Sequence, residues 1–566
     1  MADQGPTFSQ AELAARATDS LLGPSPFIGL GRQDMLDAWF KVIDQAIRQP
    51  ASAVLASSGL VLELMRILIG TSELQPDPSD RRFASARFSS SRLYRRSMQA
   101  YFAWVKSLNH WLDDLQLDPR NDRRARYTLS LLTDALAPTN TLLGNPDALE
   151  KLIKTRGRSG LKGLRHMIDD MRHNHFMPSQ VDKSAFRVGG NLACTPGKVV
   201  FRNELLELLQ YDPQTPTVHA LPLLFAPPQI NKYYVLDLSP DRSMIRFLVE
   251  KGFQVFAISW CNPTAAQRHI GMDDYVQATR EAINAVLSIT GQERCNMLGV
   301  CAGGITTVVT AAYLSAIGDY CINSLTLLVT VLDMKVGDDS TLGLFTTRES
   351  IEQARRQSAA AGVLEGSDTA RLFSWLRPND LIWNYWVNNY LLGNDPPAFD
   401  VLFWNNDTTR LPARLHSQFL DMYLENPLGT PGPADVAGMP IDLGMIEADV
   451  YLLGGTTDHI TPWKSNYRSA GLFGGEVTFV LSNSGHVQCM VNPPGNPKSG
   501  YMTNASVPPT PEEFLESAES HAGTWWLHWT AWLAERSGRK VAAPRAAGDA
   551  DYPPLEDAPG SYVHQK

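Results

Sequence analysis

The chain contains 566 residues, of which 44% are hydrophobic and 19% are charged. This balance supplies the material for a large core and excludes a chain that is disordered throughout. The 50 Lys and Arg residues against 59 Asp and Glu residues give a net charge of −9, which argues against a nucleic-acid-binding protein that relies on bulk positive charge.

The cysteines and the first residues of the sequence favour a cytoplasmic protein. No two of the six cysteines form a Cys-x-x-Cys pair, so neither a disulfide scaffold nor a metal site is predicted. The opening residues lack the basic and then apolar pattern of a signal peptide. The longest apolar stretch, residues 54–70, contains Glu63 and Arg66, which predicts an amphipathic helix and no transmembrane segment.

Residues 1–215 are predicted to form a mainly helical N-terminal domain, in which Leu60, Leu64 and Leu68 repeat at helical spacing. From residue 216 to 566, short apolar runs alternate with helical segments such as 242–251 and 275–289. This alternation predicts an α/β domain with a parallel sheet that is covered on both faces. The expected strands are 221–225, 233–236, 255–259, 295–298, 325–332, 450–453 and 477–481.

One long interval, residues 335–447, breaks the alternation and shows no convincing strand pair. An insertion of this length between two sheet strands predicts a cap over the site, which would protect an intermediate and open for substrate. A packing subdomain without a gating role is the alternative.

The C-terminal region carries Trp525, Trp529 and Trp532 at helical spacing, which predicts a last helix in the core. An anchor to a membrane or polymer surface is the alternative. After residue 538 the composition turns to Ala, Pro, Gly and Asp, and a loosely ordered tail is expected.

The most informative motif is Gly299-Val300-Cys301-Ala302-Gly303, which lies between an expected strand and a helix-like run. This is the pattern of a nucleophile elbow, with cysteine in place of the usual serine. The two glycines leave room for a tight strand-to-helix turn. The helix N-terminus then offers the Ala302 N–H to an oxyanion.

An elbow nucleophile requires an acid and then a histidine, each just after a sheet strand and in that chain order. Asp458 follows the expected strand 450–453, and His486 follows the expected strand 477–481. We therefore predict an α/β-hydrolase fold in which His486 is the general base and Asp458 orients it. His459 is a rival base, although a neighbour of Asp458 on the same loop is badly placed to pair with it.

The second oxyanion donor should come from the loop 227–231, where the backbone N–H groups of Gln229, Ile230 and Asn231 are candidates. A cysteine nucleophile forms a thioester, so transfer from an acyl-coenzyme A costs little energy and keeps the acyl group activated. The cysteine therefore favours acyl transfer or polymerisation over simple hydrolysis.

Several motifs resemble those of the poly(3-hydroxyalkanoate) synthases. They are GVCAGG at 299–304, PPQINKYY at 227–234, DHITPW at 458–463, RPNDLIWNYW at 377–386, Gly485-His486 and NPPGNPK at 492–498. The resemblance extends from about Leu22 to the C-terminus, and the long single chain looks like the class II, pseudomonad-type enzymes.

The resemblance implies polymerisation of medium-chain (R)-3-hydroxyacyl-coenzyme A, with Cys301 carrying the acyl group and coenzyme A released. It also implies no metal or bound cofactor, since the coenzyme A thioester is the substrate, and homodimers at the surface of cytoplasmic polyester granules. Thr330, Ser484 and Gln488 are expected to line the acyl pocket. Thr330 lies near the end of the expected strand that follows the nucleophile helix, and Ser484 and Gln488 lie two residues on either side of His486. Two alternatives stay open: a cysteine-dependent thioesterase or esterase of the same fold, and a non-catalytic scaffold that binds granules.

Overall fold

The computed structural model describes residues 50–78, 80–115, 117–174, 177–334, 348–366, 378–429, 434–458 and 460–566. Residues 1–49 of the expected N-terminal domain, parts of the expected cap and the rival base His459 lie outside the described residues.

The N-terminal region is mainly helical, as predicted. Helix 92–114 buries Met98, Tyr101 and Leu112, and Tyr101 stacks on Phe83 from the preceding turn. Asp118 caps the next helix by accepting a hydrogen bond from the Asn121 N–H. The helices are Pro50–Ile69, Arg87–Ser90, Arg92–Asp114, Pro119–Ala135, Pro146–Lys154 and Arg158–His173.

The first of these helices contains the predicted leucine stripe, but its buried face does not coincide with that stripe. Ile67 is buried, whereas Leu68 is 61% exposed. Among the described helices, none combines the length and the apolarity that a bilayer crossing requires.

A large twisted sheet forms the centre of the molecule, and within the described residues it has eleven strands in the order β15-β14-β13-β12-β7-β6-β4-β5-β2-β1-β17. The six neighbours from β13 to β5 pair in parallel, and the strands at both edges pair antiparallel. The strands of this sheet are β1 Gly197–Arg202, β2 Leu206–Tyr211, β4 Leu223–Ala226, β5 Val255–Trp260, β6 Cys295–Val300, β7 Ile322–Leu328, β12 Asp449–Gly455, β13 Val477–Ser482, β14 Gly500–Thr503, β15 Glu519–Ala522 and β17 Glu556–Asp557.

Helices cover both faces of this sheet, as the burial of its central strands requires. Met272–Thr290 and Ala302–Ala316 contribute to one apolar cluster, and Met244–Glu250 and Trp525–Glu535 contribute to the other. The short helices Trp463–Arg468, His486–Met490 and Pro511–Ser517 complete the domain, together with a separate pair formed by β3 Thr217–His219 and β16 Lys540–Ala542.

Two expectations about the limits of this domain are wrong. The sheet begins at Gly197, before the expected boundary at residue 215. The tail after residue 538 is ordered, because its strands β16 and β17 pair with β3 and β1. Both differences involve Glu207, a fully buried carboxylate on β2 that pairs with Arg202 and accepts hydrogen bonds from the Ser561 and Tyr562 N–H groups. The Glu207 charge interrupts the apolar pattern of β2, so the sequence did not indicate a strand there. Its hydrogen bonds with Ser561 and Tyr562 hold the tail in place.

A third expectation fails at residues 233–236, which form a 3₁₀ turn instead of a strand. The four residues are buried, so their apolar run reflects burial and not sheet pairing. This turn continues the loop that follows β4.

The described part of the expected cap, residues 348–366, 378–429 and 434–447, is largely helical and stays out of the large sheet. Contrary to expectation it contains two short antiparallel pairs, β8 with β9 and β10 with β11. Its elements are Arg348–Ala361, β8 Val363–Leu364, the π-helical turns Asn379–Trp383 and Trp386–Leu391, Asp400–Asn405, β9 Leu411–Pro412, Ala413–Glu425, β10 Ala434–Val436 and β11 Met439–Ile441.

This cap region packs against the N-terminal helices. The Tyr390 hydroxyl donates to Asp170 at 2.7 Å. A Cβ at Gly163 would lie 2.0 Å from the Tyr390 carbonyl oxygen, so only glycine allows this approach. The N-terminal domain therefore supports the cap directly.

The last helix lies in the core, as its tryptophan spacing predicts. Trp525 and Trp529 are fully buried, Trp532 is nearly so, and the Trp529 indole N–H donates to Thr326 on β7 at 2.9 Å. The core-helix interpretation is confirmed.

Replacing Trp529 tests how much this helix contributes to stability. We expect Trp529→Ala to lower the free energy of unfolding by about 3–5 kcal/mol, because it leaves a cavity and an unpaired Thr326 hydroxyl. Leu527→Ala, on the exposed side of the same helix, is the matched control and should cost less than about 1 kcal/mol. Urea unfolding measures both values, and equal effects would contradict the assignment.

Candidate active site

Cys301 lies on a strained turn between β6 and helix 302–316. Its φ of 50° and ψ of −119° are rare for a residue with a side chain. The turn is set by close contacts: a Cβ at Gly303 would lie 2.3 Å from the Pro227 carbonyl oxygen, and one at Gly299 would lie 2.6 Å from the Gly304 Cα. Both glycines are therefore required for the geometry that the elbow motif predicts.

The contact between Gly303 and Pro227 joins helix 302–316 to the loop after β4, and each of these two segments carries one predicted oxyanion donor. Ala302 is the first residue of its helix, where backbone N–H groups have no intrahelical acceptor. Ile230 is on the loop after β4, and the Gln229 side chain ties that loop to the helix by donating to Thr306 at 2.8 Å. Ala302 and Ile230 remain predictions as oxyanion donors.

The loops after β12 and β13 bring Asp458 and His486 into direct contact. Asp458 Oδ2 lies 2.8 Å from His486 Nδ1, and both side chains are buried. Asp458 Oδ1 accepts from the N–H groups of Ile460 and Thr461 at 2.9 Å each. The carboxylate is thus oriented from both sides, and His486 Nε2 is left for a reacting group.

The charges of this pair stabilise each other. Burial would by itself lower the pKa of His486, but the Asp458 carboxylate and a hydrogen bond with the Cys301 thiol raise it to about 10. Burial would raise the pKa of Asp458, but the His486 ring and the hydrogen bonds from Thr461 lower it overall. The same contacts place the Cys301 thiol beside the imidazole.

Thr461 is a site residue that the sequence analysis did not identify. Its hydroxyl donates to Asp458 Oδ2 at 2.7 Å and lies 3.1 Å from His486 Nδ1. A threonine three residues after a loop aspartate is a local signal, because its N–H and hydroxyl can both reach the carboxylate.

The predicted pocket residues occupy different environments. The Thr330 side chain is buried against the Gly304 Cα and lies 3.1 Å from the Leu328 carbonyl oxygen. Ser484 is buried and accepts from the Ser482 hydroxyl, and Gln488 is half-buried on the helix that begins with His486. Their role as an acyl pocket stays a prediction.

Burial disfavours the thiolate at four other cysteines. It raises the pKa of Cys261 to about 11 and that of Cys321 to about 12, and it also raises the pKa of Cys194 and Cys295. Cys301 lies on the turn between β6 and helix 302–316, beside the His486 imidazole. Among the described residues, no group of three or more His, Cys, Asp or Glu side chains is arranged to hold a metal ion.

Comparison with protein families gives two matches. Residues 222–493 match the α/β-hydrolase fold, and residues 79–248 match the N-terminal region of poly-beta-hydroxybutyrate polymerase. The first match covers the six strands that pair in parallel, the elbow and the loops that carry Asp458 and His486. The protein is therefore an α/β-hydrolase-fold protein with a helical N-terminal region.

Whole-chain relatives define the family further. Poly(3-hydroxyalkanoate) polymerases 1 and 2 of Ectopseudomonas oleovorans are 50% and 47% identical, and the alignments cover 98% and 95% of this chain and 99% and 95% of theirs. A poly(3-hydroxyalkanoate) polymerase subunit of Cupriavidus necator is 42% identical over 88% of this chain and 85% of its own. The chain belongs to the poly(3-hydroxyalkanoate) polymerase family, and it is similar to the pseudomonad, class II members.

The raised pKa of His486 gives a direct test of the site electrostatics. We expect Asp458→Asn to lower this pKa from about 10 to below the ordinary value, because the carboxylate is lost and burial, which disfavours the charged ring, then dominates. Titration of ¹³C-labelled histidine by NMR follows the ring, with a His486→Gln variant to assign its signal.

Asp449→Asn, at the other end of β12, is the matched control, because Asp449 pairs with Arg536 far from the imidazole. It should leave the His486 titration where it is in the unmodified protein. A His486 pKa that stays near 10 in Asp458→Asn would contradict the ion-pair assignment.

Proposed function

We propose that this protein polymerises (R)-3-hydroxyacyl-coenzyme A into poly(3-hydroxyalkanoate) and releases coenzyme A, through a covalent thioester on Cys301. The main support for this function is that Cys301 contacts His486 and His486 contacts Asp458, in a chain that belongs to the polymerase family.

In the first half-reaction the Cys301 sulfur attacks the thioester carbonyl of the substrate. His486 Nε2 takes the thiol proton, and the N–H groups of Ala302 and Ile230 donate hydrogen bonds to the carbonyl oxygen as it gains negative charge. The C–S bond to coenzyme A then breaks, and the imidazolium gives its proton to the departing sulfur. The raised pKa of His486 favours transfer of the thiol proton to the ring, so that the cysteine sulfur attacks as a thiolate.

In the second half-reaction His486 takes the proton of a 3-hydroxyl group. The resulting oxygen nucleophile attacks the Cys301 thioester, an ester bond forms, and the cysteine sulfur leaves and regains a proton from His486. Asp458 keeps Nδ1 protonated and stabilises the charged ring in both halves. The chemistry requires no metal or bound cofactor, since the coenzyme A thioester is the substrate.

Burial around Cys301 supports transfer to a hydroxyl in preference to water. Cys301 is only 9% exposed and belongs to an apolar cluster that includes Tyr385, Leu402 and Trp404 from the cap region. A dry site protects a thioester from hydrolysis. We propose that this region is a cap that opens for substrate.

Two further features of the proposal rest on the family. We propose that the protein acts as a homodimer, and that it works in the cytoplasm at the surface of the polyester granules it makes. The Arg158–His173 helix supports a surface role, because Leu161, Leu164, Ile168 and Met171 on it are between 39% and 55% exposed.

Substitution of the nucleophile tests the proposed mechanism. We expect Cys301→Ala to abolish coenzyme A release, and Cys301→Ser to retain less than about 1% of the rate, because the alcohol is harder to ionise and its ester is less activated. A stopped-flow thiol assay with 3-hydroxydecanoyl-coenzyme A measures both. Cys194→Ser controls for loss of a thiol elsewhere, and near-normal turnover of either Cys301 variant would exclude the mechanism.

The products of the same reaction separate the alternatives. Insoluble polyester supports the polymerase, free 3-hydroxydecanoic acid supports the thioesterase or esterase, and unchanged substrate supports the scaffold. The triad is common to the first two, so only the product distinguishes them.

Substrate length gives a further prediction. We expect kcat/KM for 3-hydroxydecanoyl-coenzyme A to exceed that for 3-hydroxybutyryl-coenzyme A, since each buried methylene contributes about 0.8 kcal/mol. Thr330 lies against the elbow, so enlarging it would disturb Gly304, and Gln488 is the better position to vary. Gln488→Ala should shift the ratio of the two constants. A clear preference for the four-carbon substrate would exclude the medium-chain assignment and leave the triad untouched.

A further inference from the structure

The loop that carries Ile230 is held by polar contacts on two sides. On one side the cap region binds it: the Thr409 N–H donates to the Ile230 carbonyl oxygen at 3.1 Å, and the Trp404 indole N–H donates to the Lys232 carbonyl oxygen at 2.7 Å. On the other side lies the segment 562–566, which we call the strap. The loop contacts the strap through the buried ammonium group of Lys232.

Lys232 directs its ammonium group at the strap although its residue is only 3% exposed. Nζ donates to the backbone carbonyl oxygens of Gln565 at 2.9 Å and Tyr562 at 3.3 Å. A buried ammonium without such acceptors would be strongly destabilising. Lys232 therefore depends on the strap carbonyl oxygens, and its hydrogen bonds in turn hold the strap in place. Burial nevertheless lowers the pKa of Lys232, to about 8.

The strap is itself fixed to the neighbouring strand end and to the cap. The Gln565 side-chain oxygen accepts from the Asn262 N–H at 2.8 Å, just beyond β5. Asn262 in turn accepts from the Arg410 N–H at 2.9 Å, and the Lys566 ammonium lies 3.1 Å from Asp407. The strap thus connects the sheet, the cap and the Ile230 loop.

We propose that Lys232 and Gln565 are positioning residues, which hold the Ile230 loop so that its N–H faces the oxyanion formed at Cys301. The proposal rests on the function proposed above, because it assigns the strap a role in the acylation step. Lys232 is two residues from Ile230. Gln565 accepts from the Lys232 ammonium through its backbone carbonyl oxygen, and from the Asn262 N–H through its side chain. Loss of either contact frees the loop without touching Cys301, His486 or Asp458.

Acylation and alkylation of Cys301 separate this role from general structural support. Acylation by 3-hydroxydecanoyl-coenzyme A builds up an oxyanion, whereas alkylation by iodoacetamide is a displacement at carbon that needs only the thiolate. We expect Gln565→Ala to slow single-turnover coenzyme A release by roughly tenfold to a hundredfold, since removing an oxyanion donor outright costs about 10²–10³. The alkylation rate should stay within about twofold.

Three further variants sharpen the test. Gln565→Glu keeps an acceptor for the Asn262 N–H and should restore most of the acylation rate. Lys232→Met removes the charge at similar size and should resemble Gln565→Ala. His564→Ala changes an exposed strap side chain and should leave both rates unchanged.

Hydrogen–deuterium exchange of the peptide covering 227–236 gives a readout that does not depend on activity. Exchange should rise in Gln565→Ala and Lys232→Met, and not in His564→Ala. Unchanged exchange, or equal loss of acylation and alkylation, would overturn the proposal. Acylation is common to polymerase and thioesterase, so a product of free acid would refute the proposed function while these rates still decide the role of the strap.

Discussion

The strained turn at Cys301 is the constraint on which the rest of the site depends. A side-chain-bearing residue with φ of 50° persists only when its surroundings hold it there. Here Gly303, in the first turn of the helix, lies against the Pro227 carbonyl oxygen, so the turn and the loop after β4 fix each other. This contact brings the first turn of the helix, which carries Ala302, against the loop that carries Ile230.

Parallel pairing then brings the remaining groups to the same edge of the sheet. β6, β7, β12 and β13 are neighbours, and their carboxyl ends carry Cys301, Thr330, Asp458 and His486 in turn. Buried charges connect this edge to distant parts of the chain, since Glu207 and Lys232 both depend on partners in the last residues. The C-terminal segment is therefore part of the catalytic domain's architecture.

The sequence predicts the parts of the structure that depend on local signals. An apolar strand followed by a short fixed pattern identifies the positions of Cys301, Asp458 and His486, and tryptophan spacing identifies the core helix. Features that depend on distant partners are missed. β2 is missed because it contains Glu207, whose N–H donors Ser561 and Tyr562 are 354 and 355 residues away, and the tail is held by the same contacts. The cap strands escape a pattern search because they are two or three residues long.

In the proposed mechanism Cys301 carries the growing acyl group. Mass spectrometry of the Cys301 peptide, after rapid acid quench of the enzyme with one equivalent of 3-hydroxydecanoyl-coenzyme A, tests this most directly. We expect a 3-hydroxydecanoyl adduct on Cys301 that neutral hydroxylamine removes and that forms at the rate of coenzyme A release. Release of coenzyme A with no adduct on Cys301, or with the adduct on another cysteine, would contradict it.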